Sequence, residues 1–139
     1  MTETPPRTAT RVLVVDDEPI MREMLRMMFD RNPDFDIVTT CRSAEECVAT
    51  VLDSDVELVL LDLGLPDSSG SELVSTLRQI ASRIRIVVVS GRDDAATVDD
   101  AMNAGADGYV VKGDPQRIVA GMKRVMAGVR VVDLGRAAL

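Results

Sequence analysis

The stretch from Arg11 to Asp17, RVLVVDD, has four consecutive apolar residues followed by two aspartates. Such continuous apolar character is typical of a strand that is buried on both faces of a parallel sheet, because a half-exposed strand alternates apolar and polar residues. The pattern recurs in residues 56–62, VELVLLD, and residues 84–90, IRIVVVS. These three stretches predict central strands of a parallel sheet, each ending in a polar residue.

Helical patterns follow these strands, and a short strand from Asp36 to Thr40 is predicted between the first two helices. Pro19 suits the first turn of a helix. The inward stripe of that helix is predicted to be Ile20, Met24 and Met28, flanked by Met21 and Leu25. The capping boxes that open the second and third helices are predicted at Ser43 with Glu46 and at Ser69 with Glu72.

Two more helices complete the alternation. Gly105 ends the fourth, Asp114 caps the fifth, and a short strand from Tyr109 to Val111 lies between them. Five strands that alternate strictly with five helices predict an α/β fold with helices on both faces of a parallel sheet. We expect a flavodoxin-like (βα)5 doubly wound parallel sheet with strand order 2-1-3-4-5. Residues 11–129 would form this domain, and residues 1–10, which are polar and contain two prolines, would form a disordered tail.

The composition excludes several classes of function. The net charge of −7 disfavours binding of nucleic acid or anionic membranes by this segment. The chain has no histidine, which excludes histidine catalysis and histidine metal ligands. No apolar run is long enough to cross a bilayer, and the N-terminus does not read as a signal peptide. We interpret Cys41 and Cys47 as free thiols, which fits a cytoplasmic protein.

Chemically active side chains follow four predicted strands. In an open parallel sheet, sites form outside the carboxyl ends of the strands, near the switch in winding direction. Strand one ends in Asp16 and Asp17, strand three in Asp62, strand four in Ser90 and strand five in Lys112. Each residue alone has an ordinary explanation, such as a turn aspartate or a surface lysine. Their combination on one rim instead indicates a site.

This set of side chains suits phosphoryl chemistry. A hard divalent cation such as Mg²⁺ relieves the repulsion among crowded carboxylates and prefers oxygen ligands. An aspartate can attack phosphorus and become an acyl phosphate. The transferring group spreads charge over three oxygens, for which Mg²⁺, an ammonium and a hydroxyl donor are suitable partners.

Four motifs resemble the receiver domain of two-component response regulators. They are VLVVDDEP, LVLLDLGLPDSSG, VVVSG and GADGYVVKG, and the resemblance covers about residues 11–129. It implies that Asp62 is the phosphoacceptor. The implied ligands of the Mg²⁺ cofactor are Asp17, Asp62, the backbone carbonyl of Gly64 and, mostly through water, Asp16.

The resemblance also assigns the signalling residues. Ser90 would hydrogen-bond the phosphoryl group, and Lys112 would pair with it. Tyr109 would be the aromatic switch residue, turning inward when Ser90 moves. The protein would be a signalling switch rather than an enzyme, phosphorylated by a sensor histidine kinase.

The sequence departs from the commonest receiver pattern at two positions. Gly113 follows Lys112 where many receivers have proline, so a cis peptide bond is not expected there, and Gly64 stands where a longer side chain is common. A lysine followed by a residue other than proline, in GYVVKGDP, resembles the NarL/LuxR-type subfamily. Such receivers usually precede a helix-turn-helix DNA-binding domain.

Residues 130–139, RVVDLGRAAL, resemble the start of a linker to such an output domain, which is absent from this chain. DNA contact would then occur only through that domain, and transcription would be its target. A homodimer is counted among the partners, and no membrane partner is expected. A stand-alone receiver that acts through protein–protein interaction is the alternative.

Three other classes compete with this interpretation. Haloacid-dehalogenase-type phosphatases use an acidic residue two positions after the nucleophile, where this chain has Gly64. A flavodoxin needs a phosphate cradle after its first strand, but DDEPIM is acidic there and aromatic residues are few. A degenerate receiver would lack one of the chemical residues, all of which are present.

Overall fold

The computed structural model describes residues 9–136 of the 139-residue chain. Strands and helices alternate throughout this range. The strands are β1 (Thr10–Val15), β2 (Phe35–Cys41), β3 (Leu58–Leu61), β4 (Arg85–Ser90), β5 (Gly108–Val111) and β6 (Val131–Asp133). The helices are α1 (Pro19–Asp30), α2 (Ala44–Asp53), α3 (Gly70–Ile80), α4 (Ala95–Ala104) and α5 (Pro115–Met126).

The strands form one parallel sheet in the order β2-β1-β3-β4-β5-β6. The predicted flavodoxin-like α/β fold and the order of its first five strands are confirmed. The register places Val15 opposite Leu61 and Leu61 opposite Val88, so β1, β3 and β4 end at the same rim.

Two apolar clusters cover the two faces of the sheet. Val12 and Val14 of β1 face α1 and α5, whereas Leu13 and Val15 face α2, α3 and α4. All four side chains are at most 1% exposed. The continuous apolar run in β1 therefore reflects burial on both faces, as predicted.

The predicted inward stripe of α1 is right only in part. Leu25 is buried and Met21 and Met28 pack against the core, whereas Ile20 is 83% exposed and Met24 is 38% exposed. Phe29, which was not predicted to face inward, is also buried. Apolar residues lie on both faces of this helix, so the sequence period alone does not select one. Phe29 selects the buried face because its ring packs against Phe35 of β2, with ring centroids 5.7 Å apart.

The helix caps agree only in part with the predicted capping boxes. Ser43 accepts the Glu46 N–H at 3.1 Å, as predicted for α2. Ser69 precedes α3 at the N-cap position, but its side chain makes no capping hydrogen bond, so that half of the prediction is wrong. Asp114 accepts the Gln116 N–H at 2.9 Å and caps α5 as predicted.

Both ends of the sheet differ from the predicted boundaries. Thr10 already belongs to β1, and the expected disorder of residues 1–8 lies outside the described residues. At the other end, Val131–Asp133 pair with β5 as a sixth strand, so the sheet continues past residue 129. Val131 is 3% exposed, which makes this segment part of the packed domain. Among the helices of residues 9–136, none combines the length and apolarity that a membrane span needs.

Candidate functional site

The carboxyl ends of β1, β3 and β5 bring two aspartates and a lysine together. The Lys112 Nζ atom lies 3.3 Å from Asp16 Oδ2 and 3.4 Å from Asp62 Oδ2. Asp16 and Asp62 are 3% and 7% exposed, so both carboxylates are nearly removed from solvent. One ammonium thus bridges two buried carboxylates that lie on neighbouring strands.

Backbone hydrogen bonds between the strands hold these side chains at the rim. The Asp62 N–H donates to the Val15 carbonyl at 2.9 Å, and the Lys112 N–H donates to the Ser90 carbonyl at 2.8 Å. The Asp62 Oδ1 atom also accepts the Gly64 N–H at 3.2 Å. The turn after β3 therefore contributes to the orientation of the Asp62 carboxylate.

Four carboxylates form an acidic cluster at this rim. Ligand oxygens of Asp16, Asp17, Glu18 and Asp62 all lie within 4.8 Å of one another. Hard oxygen donors at this spacing fit the ligand preference of Mg²⁺. Glu18 was missed from the sequence as a member of this cluster, although it continues the acidic run after β1, and its Oε1 atom lies 3.1 Å from Lys112 Nζ.

The charges in the site perturb one another. Burial raises the pKa of Asp16, and the negative charge of Asp62 adds to this, against the opposing effects of the Glu18 N–H and Lys112. For Lys112, burial favours the neutral amine, but attraction to Asp62 and Asp16 outweighs it and the pKa is raised. Lys112 is therefore a charged counterion held between the two carboxylates.

Ser90 and Tyr109 both hydrogen-bond the backbone of Arg92, in the loop between β4 and α4. The Ser90 Oγ atom accepts the Arg92 N–H at 3.1 Å, and the Tyr109 hydroxyl donates to the Arg92 carbonyl at 2.7 Å. Tyr109 is 0% exposed, so its ring is already buried in this conformation. The sequence predicts instead that the ring turns inward only when Ser90 moves. The ring belongs to the apolar cluster that includes Val98 and Ala101 of α4.

The glycine after Lys112 has a backbone conformation that proline cannot adopt. Gly113 has φ +148°, whereas proline is fixed near −65°. The Lys112–Gly113 peptide bond is trans. The departure from the lysine–proline pattern therefore changes the path of the chain between β5 and α5.

The fold and the rim together define a signalling receiver of the kind used by response regulators, and sequence comparison agrees. The profile of the response regulator receiver domain family matches residues 12–123. The chain belongs to this family.

Relatives with similar sequences include proteins that are named as regulators. The transcriptional regulatory protein AruR of Pseudomonas aeruginosa is 37% identical over 125 residues, which cover 86% of this chain and 50% of AruR. The nitrate/nitrite response regulator NarL of Escherichia coli is 30% identical, over 88% of this chain and 57% of NarL. The chain thus spans little more than half the length of these relatives.

Solved structures show the same architecture. A LuxR-family response regulator from Aurantimonas is 32% identical with a TM-score of 0.82, over 87% of each chain. The receiver domain of NarL from Mycobacterium tuberculosis has a TM-score of 0.81 over 86% of this chain. At 22% identity, that second likeness concerns the fold alone.

The acidic cluster predicts a stability response to metal. In chelator, we expect Asp17→Asn to raise the melting temperature slightly, because two unit charges about 4 Å apart repel by roughly 1 kcal/mol in water. Asp17 is exposed, which limits the gain. Millimolar Mg²⁺ should stabilise the wild type, because it binds only the folded site, and should stabilise Asp17→Asn less.

Thermal melts in chelator and in Mg²⁺ measure both effects. Asp99→Asn, which removes an exposed carboxylate from α4, is the matched control and should respond to Mg²⁺ as the wild type does. A wild-type melting temperature that does not change with Mg²⁺ would contradict the metal site.

Proposed function

We propose that Asp62 accepts a phosphoryl group and that this modification switches the conformation of the domain. The observation that carries the proposal is the bridge from Lys112 to the buried carboxylates of Asp62 and Asp16. A lysine that already lies beside the attacking carboxylate can pair with the phosphoryl oxygens after transfer. The family membership of the chain supports the same role.

The transfer joins a nucleophilic oxygen of this chain to the phosphorus of a phosphodonor. An Asp62 oxygen attacks phosphorus, a new P–O bond forms, and the bond between phosphorus and the donor atom breaks with its electron pair leaving on the donor. We propose a phosphohistidine of a sensor histidine kinase as the natural donor, in the cytoplasm. Attack of water on the same phosphorus breaks the bond to the Asp62 oxygen, releases inorganic phosphate and restores the carboxylate, so the domain returns to its starting state without modifying an external substrate.

The acidic cluster would hold Mg²⁺ during this chemistry. We propose Asp17, Asp62 and the Gly64 carbonyl as direct ligands, Asp16 as a ligand mostly through water, and Glu18 as a further carboxylate at the edge of the cluster. When bound, Mg²⁺ supplies positive charge for the phosphoryl oxygens. Lys112 is then free to exchange its contact with Asp16 for one with the phosphoryl group.

In this proposal, a second domain outside residues 9–136 carries out the response to phosphorylation. AruR and NarL, by their names regulatory proteins, are nearly twice the length of the matched segment. We propose that this receiver controls a DNA-binding transcription-regulator domain outside this segment and that the linker to it begins after β6 rather than at residue 130. Action as a stand-alone receiver through protein–protein contacts, including a homodimer, is the second candidate, favoured by the packing of Val131 into the domain.

Intact mass measurement tests the proposal. Incubation with a small phosphodonor and Mg²⁺ should add the mass of one phosphoryl group, and excess chelator should prevent the gain. Release of many equivalents of phosphate from a phosphoester without a labelled protein intermediate would instead indicate a phosphatase. No mass gain under any donor and metal condition would contradict the proposal.

The absence of a side chain at Gly64, beside the Asp62 carboxylate, leads to a prediction about the lifetime of the acyl phosphate. A Cβ atom at this position would lie 3.6 Å from Asp62 Oδ2, which is an ordinary contact, so a side chain fits there and would lie beside the phosphoryl group. Arg92 does not take this place, because its Nε atom pairs with Asp94 Oδ1 at 3.1 Å. We expect Gly64→Met and Gly64→Arg to slow dephosphorylation several-fold.

The decay of the phosphoryl mass after removal of the donor measures this lifetime. Gly64→Ala is the matched control, because its methyl group is too short to cover the phosphoryl group and should change the decay little. Equal decay rates in the wild type and both larger variants would show that water reaches the group from another side.

A further inference from the structure

We propose that residues 129–136 form a strap whose attachment to the β4–α4 loop through Arg136 is loosened when Asp62 is phosphorylated. The name "strap" denotes this segment, which includes β6. The inference rests on the proposed function, because the trigger is the acyl phosphate. It adds a moving part that begins at the sheet edge and contacts the loop next to Ser90.

The strap lies along the edge of β5. Val131 pairs with Gly108, Val132 with Tyr109 and Asp133 with Val110. At the first residue of β6, the Val131 N–H donates to the Asp107 carbonyl at 3.2 Å. Leu134 is partly buried and packs against the core cluster that contains Tyr109. The strap therefore covers a strand edge that would otherwise present open backbone groups.

Two ion pairs attach the C-terminal half of the strap to the rest of the domain. Arg117 of α5 lies 2.9 Å from Asp133 Oδ1, which also accepts the Gly135 N–H at 2.9 Å. Gly135 has φ +73°, a conformation that favours glycine and lets the chain turn toward the site rim. Arg136 then reaches Asp93, donating to its backbone carbonyl at 3.0 Å and pairing with its Oδ2 atom at 3.1 Å.

The loop that Arg136 contacts is the loop that Ser90 and Tyr109 hold. Asp93 follows Arg92 directly, and Arg92 is bound through its N–H by Ser90 and through its carbonyl by Tyr109. If Ser90 turns its hydroxyl toward a phosphoryl group on Asp62, the Arg92 N–H loses its acceptor. The loop is then free to move, and Asp93 moves with it.

This connection gives phosphorylation a direct effect on the strap. Displacement of Asp93 removes the contacts of Arg136, while the Arg117–Asp133 pair remains. β6 has only three residues, so the loss of one attachment shifts its opening equilibrium measurably. The phosphorylated domain has a looser strap and a more accessible β5 edge.

Hydrogen exchange of residues 131–133 tests the attachment without phosphate. Arg136→Gln should raise their exchange about two- to fivefold, the effect expected from loss of an exposed ion pair. Asp93→Asn should act in the same direction but less, because it keeps the backbone carbonyl that Arg136 contacts. The double variant should add little to Arg136→Gln, because both changes remove the same ion pair. Arg83→Gln, which removes an exposed arginine from the turn between α3 and β4, is the charge-matched control and should leave β6 unchanged.

The same measurement after phosphorylation tests the release. Phosphorylation of the wild type should raise the exchange of residues 131–133 at least as much as Arg136→Gln raises it without phosphate. Phosphorylation of Arg136→Gln should raise the exchange less than phosphorylation of the wild type does. Intact mass on each sample separates the two proposals. A fully phosphorylated wild type with unchanged exchange at β6, or Arg136→Gln that exchanges as the wild type does, would overturn the strap alone. A sample that never gains phosphoryl mass would overturn the proposed function and the release with it.

Discussion

Asp62→Asn is expected to abolish phosphorylation completely. The amide is a poor nucleophile toward phosphorus, and no other carboxylate of the cluster lies at the end of β3, where the Gly64 N–H and Lys112 converge on one side chain. With phosphodonor and Mg²⁺, the wild type should gain one phosphoryl mass and the variant none. The variant should remain folded, because asparagine has nearly the same shape.

A second aspartate of the same turn provides the control for this experiment. Asp67 is exposed and accepts the backbone N–H groups of Ala44 and Glu45, at 2.8 and 3.1 Å. Asp67→Asn alters that cap but leaves the rim intact, so phosphoryl uptake should continue. Equal labelling of Asp62→Asn and the wild type would place the acceptor on another residue.

Ser90→Ala is expected to separate phosphorylation from signalling. The attacking carboxylate and the metal ligands remain, so Asp62 should still accept phosphate, although more slowly. The variant should lack the phosphorylation-dependent change in association state, or in hydrogen exchange of α4, that the wild type shows. The physical reason is that a population shift requires an interaction that differs between the two states, and the hydroxyl supplies that interaction.

The conservative variant Ser90→Thr controls for the loss of the side chain. It keeps a hydroxyl that can accept the Arg92 N–H before phosphorylation and donate to the phosphoryl group afterwards, so it should retain the response. A phosphorylated Ser90→Ala that changes association and exchange as the wild type does would locate the switch elsewhere in the domain.

The fold and much of the rim were predictable because they depend on local patterns. The apolar runs that end in Asp16, Asp62 and Ser90 fix both the strands and the rim at which they end, since parallel strands share one carboxyl edge. The buried face of α1 was predictable only in part, because Leu25 packs inward as expected but Ile20 and Met24 do not. Its apolar residues occupy two faces, and the packing of Phe29 on Phe35 selects between them.

Long-range contacts explain the other differences. The sixth strand was missed because residues 130–139 are short and mixed, and Val131 becomes buried only when β5 lies beside it. The burial of Tyr109 reflects packing in the cluster that α4 contributes to, which its sequence position does not reveal. Glu18 could have been found from the acidic run DDE, but its contact with Lys112 joins residues 94 positions apart and is visible only in the structure.

Chemical mapping of the phosphorylated residue is the most direct test of the central claim. Borohydride reduces an aspartyl phosphate to homoserine, which marks the modified position in a peptide digest. We expect the phosphorylated wild type to carry this mark at Asp62 alone, with Asp16, Asp17 and Glu18 unmarked. A mark at another carboxylate, or a phosphoryl mass that leaves Asp62 unreduced, would contradict the assignment of Asp62 as the phosphoacceptor.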